Sequence, residues 1–445
     1  MRPNARHLFW LIALAVLAAL LVLFLFRPPV VAPTAVRQSV PAEVIRNAIP
    51  AADPVPWAAV DWQPQEEPLA ADQPPLIRMD GIVDGGDLIL GWGRAATPGR
   101  NQFNDMGAVF VSRDGRSWQT ALIDHGVEAA NGSELNGVAV GPRGYLAYGG
   151  VCCDPERRAV WQSADATRWT RLDLRGGLDA AGVSFASVVG IESGWIAVGN
   201  TMDAQQGQIW FSRDGADWEL IDPDAAGIDG ATLSDLAVGP DGLIVVGTVD
   251  GPDGTYDGGV WTSPDGVSWQ RVGADDPALA GEDEVQLHGV VVHAGGIFVT
   301  GISGSSEDRR RCDQLGMVAS ADSRPRATAL SCAVGIEHHW VSRTGETWER
   351  IAPMEAPGEH PIEFRVVVAG GPGLIVLGES SPAASPDTTL FSSPDGRRWS
   401  PVGPRQPIGN GVAIGLAVRD RQVLAVADHF DGNRSEIRIW LGSVN

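Results

Sequence analysis

The chain has 445 residues, with 33 Lys and Arg against 55 Asp and Glu, a formal net charge of −22. That balance argues against wrapping nucleic acid, which needs Lys and Arg to displace counterions from phosphates, and against anionic lipid headgroups; it suits solubility, cations or basic partners. A chain of this length makes one large repeat domain or two to three ordinary ones.

Residues 8–26, LFWLIALAVLAALLVLFLF, are apolar throughout and uncharged. Their length is close to the ~20 residues of a bilayer-spanning helix. Arg2 and Arg6 precede the stretch and Arg27 follows it, a bias that puts the N-terminus in the cytoplasm. We read 1–27 as a cytoplasmic tip and transmembrane signal anchor. The other reading is a long signal peptide cut near Ala32 or Ala35, although the apolar core of a cleaved signal usually spans only ~7–15 residues. Residues 28–56 are rich in Pro and Ala and form a semi-extended tether.

From Trp57 onward the composition changes and a repeat begins, giving one array over 57–445. Its ruler is Ser-x-Asp-Gly-x-x-Trp: SRDGRSW from Ser112, SADATRW from Ser163, SRDGADW from Ser212, SPDGVSW from Ser263, SRTGETW from Ser342 and SPDGRRW from Ser393. The serines are spaced 51, 49, 51, 79 and 51 residues apart. A period near 50 means stacked supersecondary units. Each unit holds an apolar run such as LNGVAV, then a strand framed by two glycines, then a third strand, the Asp-Gly turn and a fourth. The glycine frames are Gly86/Gly91, Gly144/Gly149, Gly194/Gly199, Gly242/Gly247, Gly296/Gly301 and Gly373/Gly378. Asp-Gly between short apolar strands is a hairpin signal, because glycine accepts positive φ. Serine and aspartate side chains cap amides in such turns.

Two residues before the motif serines stand Phe110, Trp161, Trp210, Trp261, Trp340 and Phe391, and Trp440 supplies a seventh member. The chain ends before that unit's fourth strand. Fourth strands follow Trp-x-x-apolar, and Trp57-Ala-Ala-Val60 has that form, so this segment is expected to complete the last unit and close a ring. Seven four-stranded units closed in this way make an all-β, seven-bladed β-propeller, with its sheet edges removed. An open solenoid leaves the Trp57 match without a reason. The long interval is an insertion, 303–337, which caps the channel mouth, docks a partner or merely decorates the ring.

The turns resemble the Asp boxes, or BNR repeats, of the sialidase-like propeller superfamily. The resemblance covers 57–445 and rests on Ser112, Asp114, Trp118, Asp165, Trp169, Ser212, Asp214, Trp218, Ser263, Asp265, Trp269, Trp348, Ser393, Asp395 and Trp399. The copies are one residue shorter than the fuller form; Ala166 replaces glycine in one and Thr344 replaces aspartate in another. The resemblance implies bracing turns set away from the active site. It implies a fold, not an activity, because hydrolases, receptors and assembly factors share it.

A sialidase needs three arginines on the substrate carboxylate, a tyrosine–glutamate pair and an aspartate acid/base. The nearest strings, IRMD at 77–80 and FRVV at 364–367, lack the family's proline, and Tyr145, Tyr148 and Tyr256 are the only tyrosines. Eight residues before the framing glycines lie Arg78, Asn136, Ala186, Ser234, His288 and Arg365, with Ile414 in the seventh unit. Strand alternation turns this column away from the apolar one beside it. Arginine forks suit carboxylates, so Arg78, Asn136, Ser234, His288 and Arg365 are candidate ligand-binding residues at the channel mouth. The competing reading is that they bond neighbouring blades and tunnel waters. Acidic loop residues such as Asp222, Asp224, Asp275, Asp276 and Asp283 are too many to single out the carboxylate pair of a glycosidase.

The cofactor expectation is none, with calcium possible at the Asp-rich loops 250–259 and 428–436. Four cysteines fit an oxidising compartment. Cys312 and Cys332 bracket the insertion and could staple it, which on a chain-entropy model is worth about 3 kcal/mol. Cys152 and Cys153 are adjacent, and are either a strained vicinal disulfide or free or differently paired thiols. The expected role is an extracytoplasmic binding or scaffold module, anchored by a single pass, for a protein or glycan partner. The alternative is a sialidase-like or other exo-acting glycoside hydrolase.

Overall fold

A computed structural model of the chain describes residues 55–444, with breaks at 66–72, 97–105, 124–132, 152–156, 177, 179–181, 202–205, 252–254, 282, 306–335, 356–360, 381–386, 404–407 and 431–434. Residues 8–26 and all four cysteines lie outside the described residues. No helix among the described residues is long and apolar enough to cross a membrane.

The strands form seven antiparallel sheets, the blades of a propeller. Blade one is Leu76–Asp84, Ile89–Ala95, Met106–Ser112 and Trp118–Leu122. Blades two to six begin with Ser133–Gly141, Val183–Ile191, Ala231–Gly239, Asp283–His293 and Pro361–Gly370, and each runs outward through three more strands. Blade six carries two extra short strands, Met354–Glu355 and Gly409–Asn410. Blade seven is Val412–Arg419, Gln422–Phe430 and Ser435–Ser443, completed on its outer edge by Asp61–Gln65. The first strands neighbour one another around the ring, and that of blade seven touches that of blade one. The insertion is shorter than 303–337, because Gly296–Ser305 and Ile336–Ser342 continue blade five's strands.

Closure by the N-terminal segment differs in detail from the sequence expectation. Trp57–Ala59 is a 3-10 turn, and the closing strand is the next five residues. Trp62 pairs with Gly442 as Trp118 pairs with Ser112, so Trp62 holds the register position. Trp57 instead fills the core position: it is buried with Ile375 and Leu377 of blade six and Val423 and Trp440 of blade seven. Trp169 and Trp269 occupy the same kind of place in other seams. The two roles that one tryptophan fills elsewhere are divided here between two.

The buried apolar residues fall into seven clusters, one in each seam between blades, including the seam of blades seven and one. With no helix longer than one turn among the described residues, these sheets bury both faces against other sheets, so closing the ring is what gives the first and last blades a partner.

The Ser-Asp-Gly-Trp turns join third and fourth strands. In blade one the Gly115 amide donates to Ser112 Oγ (2.9 Å) and the Arg116 and Ser117 amides to Asp114 Oδ1 (2.9 Å each). The Trp118 indole donates to Gly115 O at 3.2 Å. The same bonds recur in the turns at Ser212, Ser263 and Ser393, except that the Trp399 indole bond is not among them. Ala166 keeps the turn by adopting φ +62°, with the Trp169 indole still on its carbonyl at 2.8 Å. The amides of Thr167 and Arg168 hold the Asp165 carboxyl down to about 2.

Because Asp165 is lowered on folding, its contribution is present above the unfolded value of about 4 and is lost as pH falls toward 2. Asp165→Ala should cost about 1 kcal/mol at pH 7, in the range of a lost helix cap. The gap in melting temperature from wild type should close between pH 4 and 2; a gap independent of pH would refute the assignment.

Candidate functional site

The first strand of every blade carries a one-residue bulge. In blades two to seven the bulged residues are Asn136, Ala186, Ser234, His288, Arg365 and Ile414. These are the positions that the sequence column picks out. Blade one bulges at Ile77 and again between Met79 and Gly81. Met79 pairs with Gly93 as Leu135 pairs with Gly149, so Asp80, not Arg78, is the equivalent residue. The miscount lies in the choice of glycine: Met79 to Gly93 spans as many residues as Leu135 to Gly149, and the frame was counted from Gly91 instead of Gly93.

The second glycine of four frames is explained by the bulge, whereas at Gly378 the nearest obstacle to a Cβ is the Ile362 side chain. A Cβ on Gly149, Gly199, Gly247 or Gly301 would lie 2.0–2.2 Å from the carbonyl oxygen of the residue two before the bulge. Gly93 stands in the same place, 2.1 Å from Arg78 O, whereas Gly91 faces the Met79 side chain. The signal that could have corrected the register is therefore in the sequence, as the second glycine of Gly91-Trp-Gly93.

The bulge leaves ladder amides without strand partners, and side chains of the preceding blade take them up. Asn200 accepts from the Leu233 amide and donates to its carbonyl, both at 2.8 Å. Glu337 accepts from the Phe364 amide at 2.9 Å, and Glu379 from the Ala413 amide at 2.8 Å. Asp235 reaches both ways: it accepts from Leu236 N at 2.8 Å, from Val290 N of blade five at 3.0 Å, and from the Ser187 side chain of blade three. Burial raises its carboxyl despite these bonds. Asn200, Asp235, Glu337 and Glu379 were not picked out from the sequence, because nothing local marks a side chain that serves the next blade.

The candidate arginines sit within this framework. Arg78 pairs with Asp80, and the Arg365 guanidinium meets Glu363 at 2.7 Å and Glu379 at 2.8 Å. Arg94 meets Glu134 of blade two at 2.9 Å. Burial pushes the Asp80 carboxyl up, against the opposing effect of Arg78. Arg78 and Arg365 belong to blades one and six, with the first strand of blade seven between them. Asn136 and His288 are exposed, and Ser234 is half-buried. This level of the ring therefore carries polar side chains and matched charge pairs.

Several acidic loop residues are used locally. Asp222 caps the helical turn Pro223–Ala226 through the amides of Asp224 and Ala225, and Asp276 accepts from Ala278 N and Trp348 N. Among the described residues no group of three or more His, Cys, Asp or Glu is placed to hold a metal ion. Both Asp-rich loops contain residues outside that set.

On the opposite, turn-bearing face, a groove of about 790 Å³ opens between blades four and five. Its walls are the turn around Pro240 and Asp241, the turn around Ala294 and Gly295, and the Thr344 turn of blade five. Two buried histidines of blade five lie towards blade six. His293 accepts from Gly295 N at 3.1 Å and bonds the Pro372 carbonyl. His339 stacks on Phe364 with ring centroids 4.1 Å apart, and both its nitrogens lack hydrogen-bond partners among the described residues.

No family model matches the chain, and no curated protein matches it. Solved structures similar to it include a protein of unknown function from Dyadobacter fermentans, 12% identical with a TM-score of 0.40, covering 91% of this chain and all of that one. The β-propeller domain of the Trilobed protease from Pyrococcus furiosus is 10% identical, with a TM-score of 0.47 over 81% of this chain and 94% of that one. A polysaccharide lyase, an ulvan lyase, is 13% identical, with a TM-score of 0.47 over 84% and 93%. Seven blades and their closure rest on the chain's own strand pairing.

Burial holds His339 neutral, down to about 3, with neighbouring His338 adding to the effect. The unfolded chain takes up this proton near pH 6.5 and the folded one does not. Stability is thus full above 6.5 and falls towards pH 3 by at most about 1.4 kcal/mol per pH unit. His339→Phe should flatten the fall in melting temperature between pH 6.5 and 4, above the range where the turn aspartates titrate. An unchanged slope would show that His339 is not held neutral.

Proposed function

We propose that the chain is an extracytoplasmic binding or scaffold module for a protein or glycan partner at the cell envelope. In this reading residues 8–26 anchor it to the membrane and its turns are Asp boxes. The observation that supports the reading is a bulge at an equivalent place on the inner strand of every blade of a closed ring. In this reading Asn136, Ser234 and His288 face the mouth, the last two on backbone braced by side chains from adjacent blades. Preorganised polar groups on a rigid frame bind without a large ordering cost. The closing strand starts at Asp61, opposite Ser443 on the turn-bearing face.

A second reading as a glycoside hydrolase is favoured by one feature, the Asp80 carboxyl raised by burial at the same mouth, as suits a general acid.

The test is a melting-temperature screen of the full chain in detergent against sialic acid, uronic acids, neutral and anionic oligosaccharides and calcium. A saturable rise with one glycan, weakened about tenfold in Asn136→Ala and His288→Ala without loss of basal stability, is the expected result. Turnover of that glycan, abolished in Asp80→Asn, would move the assignment to the hydrolase. Failure of every glycan would remove the glycan arm and leave a protein partner, sought by crosslinking at position 288.

A further inference from the structure

We propose that the groove between blades four and five binds a monocarboxylate with an apolar body, the carboxylate taking the place of the side chain that blade five's turn lacks. This site is on the face opposite the mouth and does not rest on the reading of the mouth.

Five of the six motif turns contain an aspartate that accepts two consecutive amides: Arg116 and Ser117, Thr167 and Arg168, Ala216 and Asp217, Val267 and Ser268, Arg397 and Arg398. Blade five keeps the turn: Gly345 N donates to Ser342 Oγ at 2.8 Å, and the Trp348 indole to Gly345 O at 3.0 Å. Thr344 stands where the aspartate should be. Its hydroxyl takes the Glu346 amide at 3.3 Å, a long contact, and the Thr347 amide has no acceptor among the described residues. Two adjacent amides, one held only by a long bond to the Thr344 hydroxyl and the other open, make an anion-binding nest.

The groove opens on this turn, at a seam that no arginine bridges among the described residues. Arg143, in the turn Gly141–Gly144 of blade two, donates to Arg213 O in the next blade's motif turn at 3.1 Å. Arg419 does the same from blade seven, to Arg113 O at 3.3 Å. In blade four Asp241 stands where Arg143 does, and it makes no such bridge to Arg343 among the described residues. The seam is left open over a floor that includes Ile244, Val272, Val292 and Ile297. Arg343 lines the groove, exposed and without an ion-pair partner among the described residues.

These features define the ligand. The nest and Arg343 take one carboxylate, by the charge-assisted bonds that the missing aspartate makes elsewhere. Asp241 and Glu346 also line the groove and repel further negative charge, which excludes polyanions. The floor takes an apolar chain. Such a group is found at the C-terminus of an apolar peptide and in a fatty acid.

The test is the melting temperature of the full chain titrated with N-acetyl-Leu-Leu, its C-terminal amide and octanoate. A saturable rise of about 2–3 °C at a hundredfold excess over Kd is expected with the free peptide acid or with octanoate, and whichever acts identifies the source. The amide should be inert. Thr344→Asp, which restores the motif, should raise the ligand-free melting temperature by about 1 °C and abolish the response. Arg343→Gln should weaken it about tenfold. Equal response to acid and amide, a response retained in Thr344→Asp, or none with either carboxylate would overturn the proposal.

Discussion

Buried backbone amides govern this molecule. Seven sheets packed face to face leave peptide groups without ladder partners at two places in each blade, the tight turn after the third strand and the bulge on the first. An unpartnered buried amide costs about as much as a lost hydrogen bond, and the same omission repeated in every blade would exceed the stability of an ordinary domain. The turns meet this cost within seven residues: serine takes the buried glycine amide, aspartate the two exposed amides that follow, and the tryptophan indole the glycine carbonyl. The bulges meet it across seams, through Asn200, Asp235, Glu337 and Glu379. The first solution makes each blade a unit, and the second joins the units into a ring.

That difference explains what could be read from the sequence. A local solution leaves a local motif, so Ser112 to Trp118 and its copies give the period, the four strands per blade and the position of the turns. The bulge column was also legible, because Gly149, Gly199, Gly247 and Gly301 are fixed opposite it by a steric contact close to 2 Å. A cross-blade solution leaves no such mark. Glu379 and Asn200 occupy one position, just after the framing glycine, with different side chains for the same task, and the counterpart in blade two is Gly150. The counting error in blade one follows from two glycines that flank Trp92, of which only Gly93 lies opposite the bulge, and the misplaced closing strand from a tryptophan that kept its place in the core while another took its place in the ladder.

The mouth and the turn face differ in how much freedom the repeat leaves them. At the mouth the framework dictates backbone position but not the bulged side chain, which ranges from Ala186 to Arg365. Charges that do occur there are matched within or between neighbouring blades, as in Arg78 with Asp80 and Arg365 with Glu363 and Glu379. Such pairs hold geometry and leave little net field at this level of the ring.

On the turn face the reverse holds, because side chains there are already committed to bracing. A departure from the motif is then informative in itself. Ala166 departs in type but accepts the positive φ, and every hydrogen bond to Asp165 survives. Thr344 departs and takes up only one of the two amides, through a long bond, leaving the other without an acceptor among the described residues. It does so beside a seam that no arginine bridges among the described residues, so the turn and the exposed Arg343 guanidinium border a groove that Ile244, Val292 and Ile297 help to line.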